Sequence, residues 1–230
     1  MTSSNPEAAE QDSTPAPELT PDDLLAVAAG CRAALEGALD ADWSVRAGDL
    51  DWTCRRTLDH MLDTLLHYAA HFASRAEGRL PFVRDGDPAR SVPDLLTGLG
   101  TSAAILAEVC RAAPPEARGF HPAGPADATG FLAMGCQELL AHTFDIAAGL
   151  GIPFRPADPA LVRRVVDRIF PWAPEPHEAS SWDALLWAAG RIALPDRPRL
   201  DSNWWWHAAP LSEWDGTVKR RTAETPPGWT

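Results

Sequence analysis

The sequence is poor in cysteine, in basic residues and in long apolar runs, and each shortage excludes a class of protein. Only four of the 230 residues are cysteine, and no two of them form a CxxC pair. This spacing fits neither a small disulfide-stabilised scaffold nor a zinc site built on cysteines. We therefore expect reduced thiols at Cys31, Cys54, Cys110 and Cys136.

Basic residues are outnumbered by acidic ones, 20 Lys and Arg against 32 Asp and Glu, which gives a formal net charge of −12. Such a charge repels phosphate backbones and anionic lipid headgroups. No apolar run approaches the roughly 18 residues that cross a bilayer, and the first residues lack the basic and apolar regions of a signal peptide. We expect a cytoplasmic monomer or homodimer that binds neither nucleic acid nor a membrane.

Helix signals dominate what the sequence does contain, and no segment alternates like a strand. Residues 1–18 lack periodicity and are predicted to be a disordered leader, followed by a helical domain over 19–172 and a C-terminal extension over 173–230. Capping residues and breakers predict an all-α fold with six helices: Thr20 to about Asp40, Thr53 to Ala76, Ser91 to Pro114, Asp127 to Ala148, Asp158 to Phe170, and Ser181 to about Ile192. The Trp-rich end is predicted to be an irregular or short-stranded cover.

The fourth predicted helix is apolar nearly all round, yet it carries three polar side chains on one face. Glu138, His142 and Asp145 are separated by four and three residues, so they project from the same side of the helix. Glu138 and His142, one turn apart, can reach a common divalent metal ion. Asp145 could then orient His142 without touching the ion.

A third ligand must come from another helix, and the second predicted helix offers His60, His67 and His71 on one face. The three histidines span about three turns, so they cannot all bind one ion. Asp63, His67 and His71 form a rival set with the same spacing of four. A carboxylate and a histidine one turn apart are more often a partly solvated helical pair than metal ligands, so spacing alone leaves the choice open.

Two stretches resemble the DinB superfamily, in particular its mycothiol-dependent maleylpyruvate isomerase branch. Residues 51–60 (DWTCRRTLDH), which contain the pattern W-T-x-x-x-x-L-x-H, are similar to the entry of the family's second helix. Residues 135–145 (GCQELLAHTFD) are similar to its E-x-x-x-H-x-x-D helix. The resemblance covers roughly residues 20–172 and implies a DinB-like four-helix bundle with extra C-terminal helices and an irregular Trp-rich tail.

The resemblance also implies the ligand set and the chemistry. In the family a histidine of the second helix and the Glu and His of the fourth bind a divalent metal, usually zinc, which corresponds here to His60, Glu138 and His142. Glu138 stands where many DinB proteins have histidine, which favours the isomerase-like branch. The implied cosubstrate is mycothiol, transferred to a small electrophile or used to isomerise it, with no catalytic residue beyond the metal centre. After Trp172 the sequence departs from the isomerase.

Two other functions remain open at this stage. The same metal could activate a water in a hydrolase, or the helices could bind a metal or ligand without catalysis.

Several further residues have a structural and a functional interpretation. Cys136 is expected in the core, His121 and His207 on the surface, Trp204–Trp206 either around a pocket or over the core, and Arg191 either on a substrate carboxylate or in solvent.

Overall fold

The fold is entirely helical in the part of the chain that the structure describes. This computed structural model describes residues 18–81 and 89–221, where it contains six α-helices and no β-strand. The all-α prediction is confirmed. The predicted leader lies outside these ranges except for Glu18. The helices are α1 (Pro21–Glu36), α2 (Cys54–Ala73), α3 (Val92–Ala112), α4 (Ala128–Leu150), α5 (Pro159–Ile169) and α6 (Ser181–Ala188).

The first five helices begin where the sequence predicts, because their capping side chains satisfy backbone N–H groups that have no partner inside the helix. The Thr20 side chain accepts from the N–H of Asp23, and the Asp23 carboxylate accepts from the N–H of Thr20, which completes a capping box. The corresponding caps of α2 to α5 are Thr53, Ser91, Asp127 and Asp158.

Several predicted helix ends are wrong by three or four residues. α1 ends at Glu36 rather than Asp40, and α2 ends at Ala73 rather than Ala76. α4 continues to Leu150 and ends at Gly151, which has φ +68° and is one of the two glycines expected to end it. The largest correction concerns α6. Its cap is Ser180, not Ser181, and it ends at Ala188 rather than Ile192, because Gly190 adopts a left-handed conformation that stops the helix.

The four long helices form a closed ring of contacts in the order α1, α3, α2, α4 and back to α1. α4 also contacts α5 and α6, so it has neighbours on nearly every side. Seventeen of its 23 residues are buried, including Glu138, His142 and Asp145. Ionisable groups in such surroundings are costly unless they are paired or bind an ion.

The helix α3 is long and apolar enough to span a membrane, judged by length and composition alone. This finding corrects the expectation that no apolar segment approaches that length. Core helices of soluble proteins pass the same test. The contacts of α3 with α1, α2 and α4, together with its buried Leu95, Leu96 and Leu99, account for its apolar character.

The segment after α6 packs on the helices through specific hydrogen bonds. The Trp206 indole N–H donates to the side-chain oxygen of Gln137 in α4 at 2.9 Å, and the N–H of His207 donates to the carbonyl of Ile169 in α5 at 2.9 Å. Up to residue 221 this segment has only isolated β-bridges, such as that between Trp204 and Arg220, and one short 3-10 turn.

Candidate metal centre

Three side chains from two helices meet at one buried point. Nε2 of His142 lies 3.1 Å from Oε2 of Glu138, and Nε2 of His60, on α2, lies 3.6 Å from the same oxygen. The three possible ligand atoms all lie within 4.8 Å of one another. In the part of the chain that the structure describes, these residues form the only group of three or more His, Cys, Asp or Glu side chains with this geometry.

These separations suit a tetrahedral ion. Bonds of about 2.1 Å at tetrahedral angles place neighbouring ligand atoms about 3.4 Å apart. The two separations from Oε2 of Glu138, 3.1 and 3.6 Å, fall on either side of that value. Two imidazoles and one carboxylate are also ligands that zinc accepts, and three protein ligands leave a fourth position open.

Among the described residues, only one of the two oxygens of the Glu138 carboxylate has a hydrogen-bond partner. Tyr68 donates its phenol O–H to Oε1 at 3.4 Å. Oε2 is buried, and no donor among the described residues is aligned to hydrogen-bond it, although both imidazoles lie nearby. Burial alone would raise the pKa of Glu138, but the adjacent imidazoles of His142 and His60 hold that pKa well below its usual range. A buried, ionised oxygen that faces two imidazoles is therefore available to a cation.

The buried carboxylate of Asp145 hydrogen-bonds the ring nitrogen of His142 that does not face Glu138. Its Nδ1 lies 3.0 Å from Oδ2 of Asp145, so Nδ1–H donates to Asp145 and Nε2 is left to face the site. Burial would lower the pKa of His142, but Asp145 and Glu138 outweigh it and raise that pKa. Burial likewise opposes ionisation of Asp145, yet Arg191 and His142 keep its pKa below the usual range.

The first quoted motif, W-T-x-x-x-x-L-x-H, has a physical explanation in this structure. Thr53 caps α2 by accepting from the N–H of Arg56 at 3.1 Å, which fixes where the helix begins. Leu58 is fully buried in the core and so fixes the rotation of the helix. The ring of Trp52 packs against the imidazole of His60, with 4.8 Å between ring centroids. Together these contacts aim His60 at α4.

The rival set on α2 does not assemble into a metal site. The His67 and His71 rings stack at 6.0 Å. Nδ1–H of His71 donates to the carbonyl of His67 at 2.8 Å, and its Nε2 accepts from the N–H of Leu80 at 3.1 Å. Both nitrogens of His71 therefore have hydrogen bonds, and Asp63, His67 and His71 form no metal-binding group in the described ranges.

A cavity of about 450 Å³ opens above the three convergent side chains. Three tryptophans, together called the tryptophan wall, line it: Trp52 from the loop before α2, and Trp204 and Trp206 from the C-terminal segment. Arg191 and Arg221 also reach it. Of the three consecutive tryptophans, Trp204 and Trp206 thus line a pocket, whereas the buried Trp205 stacks with the guanidinium of Arg221 at 4.2 Å.

The four cysteines lie elsewhere and are poor nucleophiles. All four are buried as free thiols. Burial raises the pKa of Cys31 to about 12, that of Cys54 to about 11 and that of Cys110 to about 12, and it also raises the pKa of Cys136. Because the thiolate is the reactive form, these thiols are inert near neutral pH.

Two residues that touch the site, Tyr68 and Gln137, are not among those predicted from the sequence. Tyr68 lies eight residues after His60, so the helical repeat places the two side chains on the same face of α2, a signal that could have been read. Gln137 supports the cavity wall by its bond to Trp206, and no local pattern predicts that contact. Arg191, for which the sequence offers a substrate carboxylate or solvent, is largely buried and pairs with Asp145.

His121 and His207 are buried, which corrects their expected place on the surface. The side chain of His121 packs edge-on against Tyr68 and Trp206, at 5.5 and 5.4 Å between ring centroids. Its Nδ1 accepts from the N–H of Ala123 at 3.1 Å. Burial disfavours the charged imidazole and lowers the pKa of His121 to about 3.

The buried neutral His121 is expected to destabilise the fold as the pH falls. Between the ordinary pKa of 6.5 and the folded value of about 3, the unfolded chain binds more protons than the folded chain, so stability decreases with decreasing pH. The contribution of this one group is about 2 kcal/mol between pH 7 and pH 5. Urea unfolding of wild type and His121→Gln at both pH values measures it. Equal losses in the two proteins would contradict the assignment.

Comparisons of the chain with models of protein families, with curated proteins and with solved structures found no match.

Proposed function

We propose that this protein is a metal-dependent enzyme of the DinB type. In this proposal it uses a divalent ion, zinc, and a low-molecular-weight thiol, mycothiol, for transfer to a small electrophile or for isomerisation of that electrophile. The proposal rests on one observation: Oε2 of Glu138 is buried without a hydrogen-bond partner among the described residues and faces the imidazoles of His60 and His142 at the base of a cavity. Composition and charge favour a cytoplasmic protein.

The helix arrangement supports a DinB-like four-helix bundle. The ring of contacts α1, α3, α2, α4 brings α2 and α4 next to each other, as the ligand set requires. The two family-like motifs lie on these two helices, and their polar residues meet. In this interpretation α5, α6 and the Trp-rich segment are additions to the bundle.

The chemistry of the ligand set favours a thiol. Zinc with an open position stabilises a bound thiol as the thiolate, which is the nucleophilic form. The three side chains supply one negative charge, so a divalent ion and a thiolate together make the site neutral and reduce the cost of excluding water. Glu138, His60 and His142 would hold the ion, and the tryptophan wall would limit the access of water to it. The buried, protonated cysteines provide no competing nucleophile.

The test combines metal analysis with thiol-dependent turnover. We expect one zinc per chain, and mycothiol-dependent consumption of electrophiles in a panel that contains an aryl halide, an alkylating haloketone and maleylpyruvate. Activity should disappear after chelation and return with zinc. Full activity of metal-free protein would refute the proposal. Turnover of esters or amides without a thiol would indicate a hydrolase, and zinc bound through a fourth protein ligand without turnover would indicate a binding protein.

A further inference from the structure

We propose that Arg191, in the C-terminal extension, is a positioning residue for the metal centre. It acts through Asp145 on the metal-facing imidazole of His142. This inference rests on the metal binding proposed above and extends it to a residue that neither family-like motif contains.

The first step is the contact between Arg191 and Asp145. Nε of Arg191 donates to Oδ1 at 3.2 Å and Nη2 donates to Oδ2 at 2.7 Å, so the guanidinium holds both carboxylate oxygens. The two side chains are 11% and 5% exposed. A two-pronged contact of this kind fixes the plane of a carboxylate, which a single point charge does not do.

The second step is the contact between Asp145 and His142. Oδ2, the oxygen closest to Arg191, also accepts from Nδ1–H of His142 at 3.0 Å. Nε2 on the opposite side of that ring lies 3.1 Å from Oε2 of Glu138. A carboxylate that is itself fixed therefore sets both the tautomer and the orientation of the ring that faces the ion.

The backbone of Arg191 is fixed as well. The N–H of Arg191 donates to the carbonyl of Leu186 and that of Gly190 to the carbonyl of Trp187, the hydrogen-bond pattern of a Schellman motif at the end of α6. Gly190 has φ +70°, as that motif requires. Nη1 of Arg191 donates to the carbonyl of Ala189 at 2.8 Å. The turn thus fixes the backbone of Arg191, and each of the three guanidinium nitrogens has a hydrogen-bond partner.

The alternative is that Arg191 only neutralises a buried carboxylate and contributes to stability. The two roles differ in what they predict for the ion. A positioning role predicts weaker zinc binding even in variants that remain folded, because the His142 ring is no longer held in one orientation. Loss of a group that hydrogen-bonds a metal ligand, as Asp145 does, typically weakens metal affinity 10- to 100-fold. Arg191 acts one contact further from the ion, so the lower end of that range applies to it.

The experiment measures zinc affinity of the full chain by competition with a chromophoric chelator. Arg191→Ala is expected to bind zinc roughly 10-fold more weakly than wild type. Arg191→Lys keeps the charge but cannot bridge both oxygens, so a smaller loss is expected. If Arg191→Ala fails to fold, Arg191→Lys carries the comparison. The matched control is Arg197→Ala, which removes an arginine of the same segment that pairs with Glu178 away from the site.

Two further readouts separate positioning from stability. In Asp145→Ala the Arg191→Ala change should have no additional effect on zinc affinity, because its route to His142 is already absent. The visible spectrum of the cobalt-substituted protein should change in Arg191→Ala and not in Arg197→Ala. Wild-type affinity and an unchanged cobalt spectrum in a folded Arg191 variant would overturn the inference. Absence of zinc binding in wild type would instead refute the proposed function.

Discussion

Replacing His60 by alanine is expected to weaken zinc binding by roughly 10²- to 10³-fold. The free energy of zinc binding to a four-ligand protein site is about 10–16 kcal/mol, which assigns about 2.5–4 kcal/mol to each ligand. His60 is the only one of the three convergent side chains that comes from α2. Without it, Glu138 and His142 offer two ligands from one helix, which do not complete a site. Competition titration of wild type and variant measures the difference.

The matched control for this prediction is His67→Ala, a buried histidine two turns further along the same helix. His67 belongs to the rival set and stacks on His71 away from Glu138. His67→Ala can lower the free energy of unfolding, but its zinc affinity should equal that of wild type. If zinc binding were lost in His67→Ala and kept in His60→Ala, the ion would lie next to His67, and the prediction would be contradicted.

Replacing Arg168 by alanine is expected to lower the free energy of unfolding by about 3 kcal/mol. Arg168 is 8% exposed and lies on α5. Its guanidinium donates to the Asp127 carboxylate, which caps α4, and to the carbonyls of His207 and Ala208. Removing the guanidinium leaves a largely buried carboxylate and two carbonyls without this donor, and it loosens the segment that carries the tryptophan wall.

Guanidinium chloride unfolding measures this effect, with Arg32→Ala as the control. Arg32 forms an exposed ion pair with Glu36 one turn away on α1, and pairs of that kind contribute at most about 0.5 kcal/mol. A loss in Arg168→Ala no larger than in Arg32→Ala would show that the Arg168 cluster does not hold the extension on α4 and α5.

The sequence predicts those features that depend on residues close together in the chain. Thr20 and Asp23 satisfy each other within one turn, so the start of α1 can be read from the two residues alone. Glu138, His142 and Asp145 share a face of α4 for the same reason. Spacing within one helix says nothing about which of its turns lies opposite a second helix, and for that reason it could not decide between His60 and His67.

The contacts that complete the site join residues far apart in the chain. Arg191 meets Asp145 across 46 positions, and Trp206 meets Gln137 across 69. Neither pair has a local pattern, because each depends on how the C-terminal extension folds back on α4. His121 was expected in solvent for the same reason: its loop context gives no sign of the aromatic rings that cover it.

The most direct measurement is X-ray absorption at the zinc edge on the zinc-loaded protein, before and after addition of mycothiol. The account predicts two imidazole nitrogens and carboxylate oxygen at about 2.0–2.2 Å, with one further light atom that is replaced by a sulfur at about 2.3 Å when the thiol binds. His60→Ala should lose this signature. A zinc with four protein ligands, or one whose surroundings do not change with the thiol, would contradict the claim that these three side chains hold an ion with a position open to a thiol.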